Sequence, residues 1–152
     1  MIQQSAIEKA ALFKGLARGE LADIAALARE RAFAAGEEIF TEGSYGDEIH
    51  ILTKGLVRIE LTLGDRADCT TIHRFSAGQV FGEVCLADRR NRSATAECET
   101  DCEVVSIRTR DLLQLFEKDH HIGYVAMKNL AAVLATRLRK TNSQLISTVL
   151  WE

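Results

Sequence analysis

Between residues 78 and 96 the chain runs Gly78-Gln79-Val80-Phe81-Gly82-Glu83-Val84-Cys85-Leu86-Ala87-Asp88-Arg89-Arg90-Asn91-Arg92-Ser93-Ala94-Thr95-Ala96. This stretch gathers the groups needed to hold a phosphorylated sugar. Gly82 allows backbone to approach a ligand closely. Glu83 is the wrong group for phosphate but a suitable acceptor for a sugar hydroxyl. A short helical turn, expected over residues 83–86, would offer free N–H groups to an anion. Arg92, expected to begin the next strand, carries a planar fork of donors suited to phosphate oxygens, with the Ser93 hydroxyl beside it. Together they describe a ligand with both a phosphate and a ribose. A plainer reading makes Glu83 and Arg92 a structural ion pair across the loop. The concentration of all these groups in one short segment favours the ligand.

The surrounding elements must position that segment. Residues 5–32 read as helical: Ile7, Ala11 and Leu12 share a face, and Leu21, Ile24, Leu27 and Ala28 recur at helical spacing. Gly15 and Gly19 bracket a break between two short helices. From Phe33 the period changes to that of strands. Ile39-Phe40, Ile49 to Ile51, Leu56 to Leu63, Ile72 and Glu103 to Ile107 are separated by frequent glycines, and Gly64-Asp65 reads as a hairpin turn. After Thr109 the helical period returns. The expected fold is α+β and mainly β: an antiparallel, jelly-roll-like β-roll between N-terminal helices and a long C-terminal helix. The expected organisation is one domain over 1–152, with helices at 1–32, the roll at 33–109 (the site segment at 78–96) and helices at 110–152.

Bulk properties narrow the function. The 152 residues are 47% hydrophobic and 27% charged with a net charge of −3, so no global basic field attracts nucleic acid or an anionic membrane. Any anion site must be made locally. No apolar run is long enough to cross a membrane and no signal peptide is visible, which places the chain in the cytoplasm as an expectation. Cys69, Cys85, Cys98 and Cys102 fit a reducing compartment.

The segment resembles the phosphate-binding cassette of the cyclic-nucleotide-binding domain family, in which Phe-Gly-Glu is followed by two small or apolar residues, Leu, and then Arg-Ser/Thr/Ala-Ala. The resemblance extends to Leu12-Phe13-Lys14-Gly15-Leu16, to residues 33–43, to Gly46-Asp47-Glu48-Ile49-His50-Ile51-Leu52 and to Lys54-Gly55-Leu56-Val57-Arg58-Ile59. It implies that Glu83 accepts the ribose 2′-hydroxyl and that Arg92 pairs with the exocyclic phosphate oxygens. The N–H groups of Cys85 and Ser93 and the Ser93 hydroxyl complete the cradle. Gly82 lets the chain close on the ribose, and Phe81, Val84 and Ala94 line the site. Two positions depart from the pattern: Cys85 stands where Ala or Ser is usual, and Asp88-Arg89-Arg90-Asn91 replaces a Gly or Pro turn.

Met127, Ala131, Leu134, Leu138, Thr141, Leu145 and Thr148 alternate at intervals of four and three, the spacing of a coiled-coil seam. Leu130 and Val133 widen the stripe into a face that could cover the roll, so such a helix either packs on its own domain or forms a parallel homodimer. Residues 137–142 are also similar to the dimer helix of catabolite-activator-type proteins, which makes Thr141 the adenine reader and places Asn142 near a neighbour's ligand. Thr141 favours cAMP, whereas Ser93 beside the arginine would equally suit cGMP. His50 lacks the companions of a β-barrel metal enzyme, His73 is expected to face solvent, and His120-His121 falls at a helix junction. No nucleophile–base constellation is present, so the expectation is a binding sensor and not an enzyme, with no cofactor beyond its ligand. The chain stops at Trp151-Glu152, after the dimer-type helix, so no direct DNA binding is expected; it is either a stand-alone module acting on an unknown protein effector, which the Met1 start favours, or a piece of a larger protein. The competing function is a dimerisation or interaction module of the same fold that needs no ligand.

Overall fold

A computed structural model describes residues 2–63 and 68–151. The chain begins with α1 (Ile2–Lys9), a 3-10 turn at Ala11–Phe13 and α2 (Arg18–Ala25). The roll follows as β1 (Ala28–Phe33), β2 (Glu38–Phe40), β3 (Glu48–Lys54), β4 (Val57–Leu63), β5 (Asp68–Phe75), β6 (Val80–Phe81), the single turn α3 (Cys85–Asp88), β7 (Thr95–Cys98) and β8 (Cys102–Arg108). Two helices, α4 (Thr109–Lys118) and α5 (His120–Trp151), complete the described chain. The strands form two antiparallel four-stranded sheets, ordered β1-β8-β3-β6 and β2-β7-β4-β5.

Three expectations need correction, and the Gly64-Asp65 turn lies outside the described residues. Residues 28–32 are strand, not helix. Their Ala, Arg and Glu content suits a helix, but all six residues of β1 pair with β8, from Ala28 opposite Ile107 to Phe33 opposite Cys102. Tertiary pairing overrides local preference here. The helical turn near the site starts at Cys85, two residues later than expected, and Arg92 precedes β7 instead of opening it.

β3 is buried on both faces, which is why it shows no alternation. Ile49 and Ile51 face a helical core with Ile7, Phe13, Ile24, Ile107, Leu112, Ile122 and Leu130. Leu52 faces the interior of the roll with Val57, Phe75, Phe81, Ala96 and Val104. Only part of α5 joins the first core: Ile122, Ala126 and Leu130 are buried and Leu134 packs partly against them. Asn129 fastens the same stretch, its side-chain amide donating to the carbonyls of Leu12 and Lys14 at 2.9 Å each. Beyond residue 137 every described residue of the helix is exposed.

The roll's interior holds one buried imidazole. His50 Nδ1 lies 2.8 Å from the Ser106 hydroxyl, and its ring stacks between Phe40 and Phe81, with centroids 6.0 and 5.2 Å away. Burial pushes its pKa down to about 3, with the positive charges of Arg92, Arg31 and Arg29 adding to the effect. The imidazole is therefore neutral at physiological pH.

Two stability measurements check this packing. Leu130→Ala, at a residue 1% exposed, is expected to cost about 2–5 kcal/mol in urea denaturation. Val149→Ala, at a residue 63% exposed, should change stability by less than about 0.5 kcal/mol. For His50 the native pKa lies below the unfolded one, so acid favours the unfolded chain. Its share of stability is intact above the unfolded pKa of roughly 6.5 and drains as pH falls toward 3, by up to about 1.4 kcal/mol per pH unit. Denaturation of His50→Gln between pH 7 and pH 5 should show a correspondingly shallower decline than the parent chain.

Candidate functional site

The site is built where the β2–β3 loop, the end of β6 and the loop before β7 meet. Arg92 is clamped first through its main chain: its N–H donates to the Ser44 carbonyl at 2.7 Å and its carbonyl accepts from Gly43 at 2.8 Å. An isolated bridge between Tyr45 and Asn91 continues the pairing. Its side chain is then directed inward. Nη1 donates to the Gly82 carbonyl at 3.0 Å and Nη2 to the Glu48 carbonyl at 2.6 Å. The guanidinium carbon lies 4.1 Å from the centroid of the Phe40 ring.

Two glycines make room for this arginine. A methyl group on Gly46 would lie 2.9 Å from Arg92 Nε, and one on Gly82 would lie 2.9 Å from Nη1. Gly82 also adopts a φ of +75°, which side-chain-bearing residues rarely tolerate. Cys85 reinforces the same carbonyls, its thiol donating to Gly82 O at 2.9 Å and lying 3.2 Å from the Thr109 hydroxyl.

Arg92 is 9% exposed, yet no carboxylate among the described residues lies within ion-pair distance of it. Its Nε has no hydrogen-bond partner among the described residues. Neutral carbonyls hold the guanidinium without cancelling its charge, so the arrangement is poised for an anion.

Glu83 is 2% exposed and does not pair with Arg92. Its Oε1 is in ion-pair contact with Arg137 Nη1 of α5, while Oε2 has no hydrogen-bond partner among the described residues. Burial raises the pKa of this carboxyl, and the charges of Arg137 and, further away, Arg92 oppose that rise. A buried acid with a free oxygen is an acceptor in need of a donor. The plainer reading of a Glu83–Arg92 ion pair is thereby removed.

Arg137 also lies over the Phe75 ring, its guanidinium carbon 5.5 Å from the centroid. The two arginines thus cap opposite ends of one aromatic run, in which Phe40, His50, Phe81 and Phe75 stand at centroid spacings of 6.0, 5.2 and 5.5 Å. His73 edges onto Phe75 at 4.4 Å and is otherwise open to solvent.

The expected site residues divide accordingly. Gly82, Glu83, Cys85 and Arg92 come together. The Phe81 side chain is fully buried in the roll's interior, which leaves only its backbone to meet a ligand. Ala94 is buried, whereas Val84 and Ser93 are exposed on the cassette. Thr141 and Asn142 lie exposed on α5, about one turn beyond Arg137. Sequence reasoning singled out Thr141 and passed over Arg137, the residue that reaches Glu83. The available signal was position: Arg137 precedes Thr141 by four residues and so shares its helical face. Among the described residues, no group of three or more His, Cys, Asp and Glu could hold a metal ion, and no helix is long and apolar enough to cross a membrane.

Comparison with known proteins agrees with this geometry. The family model described as cyclic nucleotide-binding domain matches residues 30–119. The cyclic AMP receptor protein of Thermus thermophilus is 33% identical over 135 residues, covering 88% of this chain and 60% of that protein. The chain thus spans about three fifths of the length of that relative. The crystal structure of the Thermus thermophilus catabolite activator protein superposes with a TM-score of 0.77 at 31% identity, over 89% of this chain and 61% of that one. A cyclic nucleotide-binding domain from Methylobacillus flagellatus shares the fold with a TM-score of 0.83 at 20% identity, over 97% and 82% of the two chains. With the family model matched over more than half of its length, this chain belongs to the cyclic nucleotide-binding domain family.

Proposed function

We propose that this chain is a sensor module that binds a cyclic nucleotide, preferably cAMP, and passes the binding event to its C-terminal helix. The observation that carries this reading is Arg92, nine-tenths buried and held by carbonyls, with no carboxylate among the described residues within ion-pair distance. A cyclic phosphate supplies the missing charge, and Glu83 takes the ribose 2′-hydroxyl. Hydrogen bonds to charged groups contribute about 1.5–3 kcal/mol each, and micromolar affinity needs about 8 kcal/mol, so Arg92, Glu83 and a few backbone donors from Cys85 and Ser93 suffice. The protein acts by binding, in the cytoplasm, without catalysis.

Arg137 supports the transmission step. It joins α5 to the same carboxylate that the ribose would use, so ligand and helix interact through one group. A ligand that prefers one placement of α5 shifts the helix toward it. Thr141, about one turn further along, is the adenine reader in this reading, with Asn142 beside it. The seam that includes Leu138 and Leu145, both more than half exposed, suits a second copy of the chain.

A thermal-shift panel of cAMP, cGMP and cyclic dinucleotides tests the ligand, because binding to the native state raises the melting temperature. cAMP is expected to give the largest rise. No rise with any of them would favour an interaction module that works without ligand. Arg92→Leu should weaken calorimetric affinity for cAMP at least ~100-fold, the equivalent of about 2.7 kcal/mol, while circular dichroism still reports a folded chain. Thr141→Ala should weaken cAMP binding by about 5–10-fold, matching the loss of one hydrogen bond, and leave cGMP binding unchanged. Equal losses for both nucleotides would remove Thr141 from base recognition.

A further inference from the structure

A buried arginine ordinarily has a carboxylate partner, and the residue that meets Arg92 through its main chain carries one. Glu48 gives Arg92 its main-chain oxygen at 2.6 Å, and its own side chain is only 11% exposed. That carboxylate is engaged elsewhere. Arg29 Nη2 takes Oε2 at 2.9 Å and Arg31 Nη1 takes Oε1 at 3.1 Å, so each oxygen is held by a different guanidinium.

The fold makes this arrangement possible. Arg29 and Arg31 are two apart on β1 and therefore share a face of the sheet. Glu48 opens β3, which β8 separates from β1, so the two arginines reach past one strand to meet it. His50 lies on the same face as Glu48, two residues on. Burial lowers its pKa, and the positive charges of Arg92, Arg31 and Arg29 all add to that lowering. Two guanidinium groups thus occupy the Glu48 carboxylate, while a third, that of Arg92, is held by the main-chain oxygen of the same residue. Were that carboxylate released, Arg92, whose guanidinium already meets the main chain of the same residue, would be an alternative partner, and the pairing would cancel the charge that a phosphate needs.

We propose that Arg29 and Arg31, which lie outside the ligand cradle, set the site's affinity for a cyclic phosphate by holding the Glu48 carboxylate away from Arg92. They are positioning residues that act through Glu48. The inference rests on the reading that Arg92 binds the phosphate of a cyclic nucleotide.

Calorimetry with cAMP on four forms of the chain tests it: the parent, Arg29→Gln with Arg31→Gln, that pair with Glu48→Gln, and that pair with Glu30→Gln. The double variant should bind at least ~10-fold more weakly than the parent, because the freed carboxylate competes with phosphate. Adding Glu48→Gln should bring affinity back to within about threefold of the parent. Adding Glu30→Gln, which restores the same net charge from an exposed position on β1, should leave the defect in place. A merely structural role for the cluster predicts that the Glu48→Gln triple binds no better than the double, and that outcome overturns the proposal. Recovery by both triples would show a general field effect and overturn it too, as would a double that binds like the parent. If the double variant does not fold by circular dichroism, Arg31→Gln with and without Glu48→Gln carries the same comparison. A parent chain that binds no cyclic nucleotide removes the ligand reading itself, whereas a binding parent with an unaffected double removes only the role of Arg29 and Arg31.

Discussion

A guanidinium taken out of water must be satisfied, and the way Arg92 is satisfied governs the architecture around it. Carbonyl oxygens from Gly82 and Glu48 absorb its donors, and the face of Phe40 supports its plane. Carbonyls are dipoles, so they lower the cost of burial without removing the net charge. Much of the neighbouring sequence follows from that choice. Positions 46 and 82 have no space for a Cβ, and the loop from Gly43 must run close enough to exchange main-chain hydrogen bonds with Arg92. The roll is the scaffold that brings three distant segments to one side chain.

The strand that supplies one of those carbonyls has a second role. β3 separates two cores, with Ile49 and Ile51 facing the helices while Leu52 fills the roll. Its first residue presents a carbonyl to Arg92 and a carboxylate to β1. A displacement of this strand would therefore disturb helix packing, roll packing and the anion site together. The aromatic run through His50 follows the same interior and ends at an arginine on each side, one on the cassette and one on α5. His50 fits this run because burial keeps it uncharged, with Ser106 to satisfy its ring nitrogen.

What the sequence made legible were features whose causes lie within a few residues. The cassette is contiguous, so Gly82, Glu83, Cys85 and Arg92 could be read together, and β4 shows its period openly in Val57, Ile59, Leu61 and Leu63. What stayed hidden depends on partners far along the chain. Residues 28–32 are good helix formers, and only β8, more than seventy residues later, makes them a strand. Glu83 and Arg137 are separated by α3, the last two strands, α4 and the first half of α5, so neither residue announces the other. Glu48 looks like an ordinary charged residue at a strand start until the fold sets Arg29 and Arg31 beside it. The heptad spacing of α5 was visible, as was Leu130 on the face that could cover the body, but not that Ile122 and Ala126, earlier in the helix, would join it there.

That division of α5 has a mechanical consequence. Its first turns are pinned: Asn129 holds the carbonyls of Leu12 and Lys14, and His121 meets Glu20 of α2 at 2.6 Å. The N-terminal helices and the root of α5 must travel as one piece, so the compliant stretch lies beyond Arg137, the last residue of the helix that meets the roll. From Leu138 to Leu150 the helix is an exposed rod about 20 Å long at 1.5 Å per residue. A tilt of about 10° at its fulcrum would sweep the free tip through roughly 3–4 Å, by the geometry of a rod of that length. A rearrangement too small to disturb the roll would thus be magnified at the far end of the chain.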